Sequence, residues 1–229
     1  MATFEETKEV WRNADVVCFD VDSTVSTEEA IDELAAHCGV GEEVAQWTKK
    51  AMDGSITYKE TLQARMDIIN PTKAQVKAFI ENHPPADYLT PGVTELIQLL
   101  LARGTAVYLV TGGFFCTVSE LAKALKIPEE NIFANKLKFF YNGEFAGFCE
   151  KQPTCEAGGK PKVVGMLKKK HGYRHVVMIG DGATDLEACP PADAFIGFGG
   201  NKVRAKVQEG AKWFVSSFQE LISVLNESS

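Results

Sequence analysis

A short apolar run that ends in two carboxylates constrains the fold of this chain more than any other feature. Residues 16–19 read Val-Val-Cys-Phe, and Asp20-Val21-Asp22 follows at once. Because side chains alternate between the two faces of a strand, Asp20 and Asp22 could point the same way. If the strand ends first, both still lie at its C-terminal end, which is where ligands bind in open α/β sheets. A strand with an ordinary polar exit is the alternative that these residues leave open.

The rest of the chain alternates between strand-like and helix-like segments. Apolar runs typical of buried strands occur at about 15–20, 106–110, 132–134, 176–179, 194–196 and 213–215. Strands that alternate with helices of about 10–15 residues predict an α/β fold with a doubly wound, mostly parallel, Rossmann-like sheet. Thr90-Pro91 is typical of an N-cap followed by proline at the first helical position. An Asn-Gly pair between aromatic segments predicts a β-hairpin over 137–148, ahead of Lys160.

A helical insertion separates the first predicted strand from the second. Helical patterns follow one another over 27–38, 42–52, 57–69 and 72–82. Ser26 and Glu29 fit the two polar positions of a capping box, which predicts the start of the first of these helices. We therefore expect two domains: a Rossmann-like catalytic core of residues 1–25 and 90–229, and a small helical cap of residues 26–89 inserted after the first strand.

Composition limits the classes of function. The chain has 24 basic and 31 acidic residues among 229, which does not favour a nucleic-acid partner because such binding depends on neutralising phosphates. No run approaches the roughly 20 apolar residues that span a membrane, and no signal or transit peptide is evident. The six cysteines contain no C-x-x-C pair and are expected to be reduced thiols. We expect a cytoplasmic protein, monomer or homodimer, with a small-molecule substrate, no nucleic acid and no membrane partner.

Polar residues suited to phosphate chemistry occur at four predicted turns. Three of these turns directly follow apolar strands: Asp20/Asp22, Thr111-Gly112-Gly113, and Asp181 with Asp185. The fourth carries Lys160 after two glycines. Because the C-terminal ends of parallel strands lie at one edge of a sheet, the three strand-end turns can converge. Each turn alone has a structural interpretation, as a tight turn, an Asp cap or a solvated lysine, but together they predict one site.

Phosphoryl transfer is the chemistry that needs these residue types. Its transition state spreads negative charge over the phosphoryl oxygens, so positioning and charge stabilisation dominate catalysis. A carboxylate nucleophile would be repelled by a phosphate dianion unless a cation lies between them, and Mg²⁺ prefers carboxylates and waters. Asp20 and Asp181 would supply such carboxylates, and Lys160 would add positive charge.

The remaining polar groups fit two further tasks, the binding of the phosphoryl oxygens and the transfer of protons. The Thr111 hydroxyl and the amides of Gly112 and Gly113 can donate hydrogen bonds to phosphoryl oxygens. Asp22 would protonate the leaving alcohol and then deprotonate the water that hydrolyses an aspartyl phosphate. This role requires that the pKa of Asp22 lie above that of an ordinary aspartate.

These residues resemble the motifs of the haloacid dehalogenase superfamily. The matching residues are Asp20-x-Asp22-x-Thr24, a hydroxyl at 111, Lys160 and Gly180-Asp181-Gly182-x-x-Asp185, in the order of that superfamily. By this resemblance Asp20 is the nucleophile and Asp22 the general acid and base. The resemblance further implies one Mg²⁺ bound by Asp20, Asp22 and Asp181, with Asp185 supporting that set from outside it.

Longer stretches are similar to the eukaryotic type of phosphoserine phosphatase over nearly the whole chain. They are Cys18–Val25, Glu29–Leu34, Thr111–Phe114, Phe133–Asn135, Gly180–Asp185 and Phe195–Asn201. This family uses a helical cap and, with Mg²⁺, hydrolyses O-phosphoserine to serine and phosphate through an aspartyl phosphate, the last step of the phosphorylated route to serine. The resemblance implies the same activity here.

The resemblance also implies which residues bind the substrate. Glu29 and Arg65 would hold its amino-acid end, with Met52 nearby, and Thr184 and Arg204 would be further substrate-binding residues. For Glu29 the capping box with Ser26 remains an alternative role. For Arg65, which shares an otherwise apolar helical stripe with Tyr58, Leu62 and Ile69, the alternative is a salt bridge with Glu60 or Asp67.

The chain departs from the family at two positions, and other functions stay open. Thr111 stands where the family usually has serine, and Asp53 where eukaryotic members commonly have glycine. The same core could serve another small phosphate ester or pass phosphate to an alcohol. A non-catalytic module that binds a phosphate ligand is disfavoured, because a mere binder has no need of a carboxylate at position 22.

Overall fold

The centre of the fold is a sheet of six parallel strands. The computed structural model describes residues 3–51 and 57–227. Its strands are β1 (Val16–Phe19), β2 (Ala106–Phe114), β3 (Ile132–Asn135), β4 (Leu137–Phe139), β5 (Phe145–Phe148), β6 (Val176–Gly180), β7 (Ala194–Phe198) and β8 (Trp213–Val215). Six of them form one sheet in the order β3-β2-β1-β6-β7-β8, and every pairing in it is parallel. With β1 in the middle, the chain moves outward first on one side and then on the other, which confirms the doubly wound fold.

Helices cover both faces of this sheet. They are α1 (Phe4–Arg12), α2 (Ala30–His37), α3 (Gly41–Ala51), α4 (Tyr58–Ile69), α5 (Lys73–Asn82), α6 (Val93–Ala102), α7 (Phe115–Leu125), α8 (Gly159–His171), α9 (Ala183–Leu186), α10 (Ala205–Gly210) and α11 (Phe218–Asn226). Val17 and Phe19 of β1 pack into a core with α1, α6, α7 and α11. Val16 and Cys18 face the opposite core, which contains α8 and α10. Both faces of β1 are therefore buried, as its continuous apolar sequence predicts. None of the described helices has the length and apolarity needed to cross a membrane.

The helices α2 to α5 form a four-helix segment, residues 26–89, with a core of its own. Leu34, Leu62, Met66 and Phe79 are buried in this core. Phe114 at the end of β2 and Phe148 of the antiparallel β4–β5 hairpin pack into it from outside the segment. Ser26 and Leu89 pair as an isolated antiparallel bridge, so the chain enters and leaves the segment at one place.

Two predicted helix starts are wrong, and both lie at this entry and exit. Helix α2 begins at Ala30, so Ser26 and Glu29 do not form a capping box. Ser26 is extended and pairs with Leu89 instead, and its hydroxyl accepts a hydrogen bond from the Glu28 amide at 3.2 Å. Helix α6 begins only at Val93. The Thr90 hydroxyl donates to the carbonyl oxygen of Thr24 at 2.7 Å, which holds the end of the four-helix segment against the residues that follow β1.

The second strand is longer than its apolar run suggests. The sequence predicts a strand over 106–110 followed by a turn, whereas β2 continues to Phe114 with an irregular register after Val110. The Thr111-Gly112-Gly113 group therefore lies in the last, irregular part of a strand. This position still places it at the C-terminal edge of the sheet, beside the end of β1.

Candidate active site

The C-terminal ends of β1, β2 and β6 open into one cavity of about 340 Å³, within the usual size range of small-molecule sites. The four-helix segment forms its opposite wall through α4. The predicted site residues that line the cavity are Asp20, Asp22, Glu29, Arg65, Thr111, Gly112, Gly113, Lys160, Asp181, Thr184 and Arg204. Asp185 lies directly behind them, whereas Met52 and Asp53 fall outside the described residues.

Lys160 lies between two buried carboxylates. Its Nζ is 2.7 Å from Oδ1 of Asp20 and 2.6 Å from Oδ1 of Asp185. Burial opposes the charge of Lys160, but Asp185 and Asp20 outweigh this effect and hold its pKa above the ordinary lysine value. Lys160 occupies the first turn of α8, where a cation is disfavoured by the helix dipole. The two carboxylates offset this cost, so Lys160 is a fixed positive charge at the end of β1.

Three carboxylates form a compact cluster that suits a hard cation. One oxygen from each of Asp20, Asp181 and Asp185 lies within 4.8 Å of the others. Burial, and secondly the charge of Asp20, raises the pKa of both Asp181 and Asp185, so the cluster is short of positive charge. Carboxylate oxygens crowded in this way are the donor set that Mg²⁺ prefers. The residues present therefore fit one divalent ion.

The hydrogen bonds of the cluster divide these carboxylates into two groups. Asp185 accepts from Lys160 through Oδ1 and from the Gly182 amide, at 3.0 Å, through Oδ2, so both of its oxygens are already engaged. Among the described residues, Oδ2 of Asp20 has no hydrogen-bond partner, and Oδ1 of Asp181 accepts only a long hydrogen bond of 3.4 Å from the Thr24 hydroxyl. These two oxygens are therefore the ones most open to an ion. Arg204 donates from Nε to Asp181 Oδ2 at 2.7 Å and orients that carboxylate.

Asp22 points away from this cluster, towards the four-helix segment. Its Oδ1 accepts a hydrogen bond of 2.9 Å from the amide of Ala30, the first residue of α2, where helix amides lack partners inside the helix. The next residue, Ser23, has a φ of 54°, so the chain turns sharply directly after Asp22. Burial, with the charges of Asp20 and Glu29, raises the pKa of Asp22 to about 7. The Asp22 carboxylate is not one of the three carboxylates that crowd together in the cluster, so the expectation that Asp22 binds the ion stays a prediction.

The Thr111-Gly112-Gly113 stretch allows other side chains to approach its backbone closely. The Thr111 hydroxyl accepts a hydrogen bond from the Gly113 amide at 2.9 Å and lies 3.5 Å from Asp22 Oδ2. The side-chain amide of Asn135 donates to the carbonyl oxygen of Gly112 at 2.8 Å and fixes this stretch from the neighbouring strand. A Cβ on Gly113 would come within 2.9 Å of Asp22 Oδ2. Glycine is therefore required where the backbone meets the Asp22 carboxylate.

Glu29 occupies the N-cap position of α2, but its side chain makes no capping hydrogen bond and lines the cavity instead. Its Oε1 accepts hydrogen bonds from the Ser23 hydroxyl at 2.9 Å and from Arg204 Nη2 at 3.1 Å, and Lys202 Nζ lies at 3.4 Å. Burial opposes ionisation, but Lys202, Ser23 and Arg204 outweigh it and lower the pKa of Glu29. A negative charge thus faces the cavity from the start of α2.

Arg65 brings an unsatisfied donor into the same cavity. Its Nε is buried and has no hydrogen-bond partner in the described part of the chain. The expected structural partners are engaged elsewhere: Asp67 accepts from Gln63 at 2.7 Å, and Glu60 closes a capping box with Thr57. Within residues 3–51 and 57–227, Arg65 forms no salt bridge, so the pairing with Glu60 or Asp67 is not formed.

Sequence reasoning missed several side chains at this site, among them Tyr58, Glu156 and Lys202. Tyr58 lines the cavity wall, and Lys202 contacts Glu29. Tyr58 lies seven residues before Arg65 on the same face of the helix. This spacing was the signal in the sequence that could have placed Tyr58 at the site. The contact of Lys202 with Glu29 joins residues 173 positions apart, and no local pattern in the sequence marks it.

Comparison with known proteins gives matches over the whole of this arrangement. The profile of the haloacid dehalogenase-like hydrolases matches residues 14–193. Phosphoserine phosphatase of Rattus norvegicus is 51% identical over 227 residues, which are 99% of this chain and 100% of the rat protein. A solved structure described as a phospho-aspartyl intermediate analogue of phosphoserine phosphatase has a TM-score of 0.77 at 28% identity, covering 92% of this chain and 98% of that chain. DsGPDH of Dunaliella salina has a TM-score of 0.85 at 35% identity, covering 98% of this chain but 38% of that longer one.

Proposed function

The chain belongs to the haloacid dehalogenase-like hydrolase family, and we propose that it hydrolyses O-phosphoserine to serine and phosphate. The observation that carries this proposal is the buried Nε of Arg65, which has no hydrogen-bond partner among the described residues and lies in the same cavity as Asp20 and Glu29. A substrate carboxylate would satisfy the guanidinium group, and the Glu29 carboxylate would attract a substrate ammonium group. A cavity with these two charges beside a phosphoryl-transfer site fits a phosphorylated amino acid.

Asp20 is the nucleophile in this proposal. Its carboxylate oxygen forms a bond to phosphorus while the bond from phosphorus to the seryl oxygen breaks. Lys160, the Thr111 hydroxyl and the Gly112 amide stabilise the charge that develops on the phosphoryl oxygens, and the Gly113 amide holds the Thr111 hydroxyl in place. A bound Mg²⁺, for which the Asp20 and Asp181 carboxylates provide suitable oxygens, would neutralise charge between the nucleophile and the phosphate dianion.

In this proposal Asp22 is the general acid of the first step and the general base of the second. With a pKa raised to about 7 by its burial, it can give a proton to the seryl oxygen as serine leaves. It then accepts a proton from water as the water oxygen attacks the phosphorus of the aspartyl phosphate. This second step releases phosphate and regenerates the Asp20 carboxylate.

We assign the choice of substrate to a cap domain, residues 26–89, and the chemistry to a core of residues 1–25 and 90–229. The separate hydrophobic core of α2 to α5 and the bridge between Ser26 and Leu89 support this division. Thr184 and Arg204 line the cavity from the core side, and we assign them to substrate binding. We place the activity in the cytoplasm, because the six cysteines are free thiols and suit a reducing compartment.

The experiment is phosphate release from a panel of monoesters by the purified chain with Mg²⁺. The panel contains phosphoserine, phosphothreonine, phosphoethanolamine and phosphoethanol. We expect phosphoserine to give the highest kcat/KM and phosphoethanol, which lacks both charged groups, to give the lowest. Equal rates on all four esters would contradict the proposal.

A second measurement separates hydrolysis from transfer to an alcohol. We expect serine and phosphate to be released in equal amounts when a high concentration of ethylene glycol is present. Less phosphate than serine would show that a phosphotransferase activity competes with hydrolysis.

A further inference from the structure

The side chain of Tyr58 reaches from the four-helix segment to the Thr111-Gly112-Gly113 stretch of the sheet. Tyr58 is the first residue of α4, the helix that also carries Arg65. Its hydroxyl lies so close to Gly112 that a Cβ on this glycine would overlap with it, and the ring carbon Cζ would be 3.1 Å from that Cβ. The absence of a side chain at position 112 therefore leaves the room that the Tyr58 hydroxyl occupies.

The Tyr58 hydroxyl lies close to Gly112 but has no hydrogen-bond partner among the described residues. The side chain of Tyr58 is partly buried and lines the cavity. Burial raises the pKa of Tyr58 to about 12, and the charges of Lys160, Arg65, Asp22 and Asp20 also act on it. The hydroxyl thus stays protonated and lies among the charged groups of the site as an available donor.

We propose that Tyr58 is a substrate-contacting residue whose hydroxyl donates a hydrogen bond to the phosphoryl group. The inference rests on the proposed function, to which it adds a donor from the cap. The hydroxyl lies beside Gly112, whose amide faces the same oxygens in our mechanism. Arg65 follows seven residues later on α4, which corresponds to about 10 Å along the helix axis. The helix thus presents Tyr58 to the phosphate end of the substrate and Arg65 to its carboxylate end.

The test is the variant Tyr58→Phe, which removes only the hydroxyl and keeps the ring. We would measure the dissociation constant of inorganic phosphate by calorimetry with Mg²⁺ present, because phosphate carries no serine group. A lost hydrogen bond to a charged oxygen should weaken phosphate binding by about ten-fold. The value of kcat/KM should fall by a similar factor on phosphoserine and on phosphoethanol. Tyr141→Phe, at a fully exposed position on the hairpin, is the matched control and should change neither quantity.

Two results would overturn the inference. Unchanged phosphate affinity in Tyr58→Phe would mean that the hydroxyl does not contact the phosphoryl group. A loss confined to phosphoserine, with phosphate and phosphoethanol unaffected, would mean that it contacts the serine end instead. If the parent protein fails to hydrolyse phosphoserine while Tyr58→Phe still weakens phosphate binding, the proposed function fails and the phosphoryl contact stands. The thermal midpoint of Tyr58→Phe reports whether the fold is intact.

Discussion

The ammonium group of Lys160 lies 2.7 Å from the carboxylate of Asp20, the residue that we assign as nucleophile. The same group contacts Asp185 at 2.6 Å, and all three side chains are at most a tenth exposed. Lys160 therefore holds Asp20 in place before substrate arrives and remains beside it as a charge for the phosphoryl oxygens. One buried cation serves both the stability of the end of β1 and the proposed chemistry.

Replacement of Lys160 by alanine should destabilise the fold and abolish turnover. Removing one partner of a buried ion pair leaves uncompensated charge and costs about 3–5 kcal/mol. In this variant the uncompensated charge is that of the three crowded carboxylates. We expect the deficit in unfolding free energy, measured by urea denaturation, to be largest in metal-free buffer and smaller with Mg²⁺. A deficit that Mg²⁺ does not reduce would argue against cation binding by these carboxylates. Lys123→Ala, which breaks an exposed pair with Glu120, is the control and should leave the midpoint nearly unchanged.

Asp20→Asn should remove turnover while the chain stays folded, because an amide cannot act as the nucleophile. Mass spectrometry of the parent protein, quenched in acid during turnover of phosphoserine, should locate the phosphate on Asp20. Phosphate trapped on another residue, or substantial turnover by Asp20→Asn, is the result that this mechanism does not allow. The circular dichroism spectrum of the variant checks that the fold is retained.

Thr111→Ala should slow turnover by about ten- to a hundred-fold, since one hydrogen bond to a charged oxygen is worth about 1.5–3 kcal/mol. The alanine variant also loses the acceptor for the Gly113 amide, which shapes this stretch. Thr111→Ser keeps both functions of the hydroxyl and should remain within about ten-fold of the parent. If the two variants have the same kcat, the hydroxyl is not a phosphoryl ligand.

Asp15 gives a prediction about the pH dependence of stability, away from the site. Its Oδ2 accepts the amides of Arg174 and His175 at 2.7 and 2.9 Å, and the His175 amide is the main cause of its lowered pKa. A group whose pKa is lower in the folded state stabilises the fold above its unfolded pKa of about 3.9 and loses this effect as the pH falls. Asp15→Ala should therefore lower the thermal midpoint at pH 7, and the difference from the parent should shrink towards pH 3. A constant difference would point to lost packing, and Asp87→Ala, at an exposed position of the short 3₁₀ helix Pro85–Tyr88, serves as the control.

The parts of the site that the sequence predicts are those that follow from the geometry of a parallel sheet. Asp20, Thr111 and Asp181 come after apolar runs, and parallel strands bring such positions to one edge. The start of α2 was not predictable in this way, because Ser26 is extended to pair with Leu89, a contact between distant parts of the chain. That bridge moves the start of α2 to Ala30 and frees Glu29 for the cavity.

Contacts between the cap and the core could not be predicted either, because they also join distant parts of the chain. Lys202 and Arg204 meet Glu29 across 173 and 175 positions, and Tyr58 meets Gly112 only because the β2 end packs on α4. A local pattern indicates which face of a helix is apolar. It does not indicate which turn of the sheet that face will cover.

Arg65→Ala should separate phosphoserine from simpler esters. The Arg65 Nε has no hydrogen-bond partner among the described residues, so its removal breaks no hydrogen bond at that nitrogen when substrate is absent. Loss of a buried charged pair with the substrate costs on the order of 2–5 kcal/mol, so kcat/KM for phosphoserine should fall by at least about thirty-fold. Activity on phosphoethanol should change little, because this ester has no carboxylate.

The matched control for Arg65 is Gln63→Ala, two residues earlier on α4, where the side chain contacts Asp67 and not the cavity. This variant should keep the preference of the parent for phosphoserine. Equal losses on both esters in Arg65→Ala would mean that Arg65 supports the packing of α4, since a structural defect slows every substrate alike. A loss confined to phosphoserine, with KM raised more than kcat is lowered, would locate the role of Arg65 in holding the substrate carboxylate.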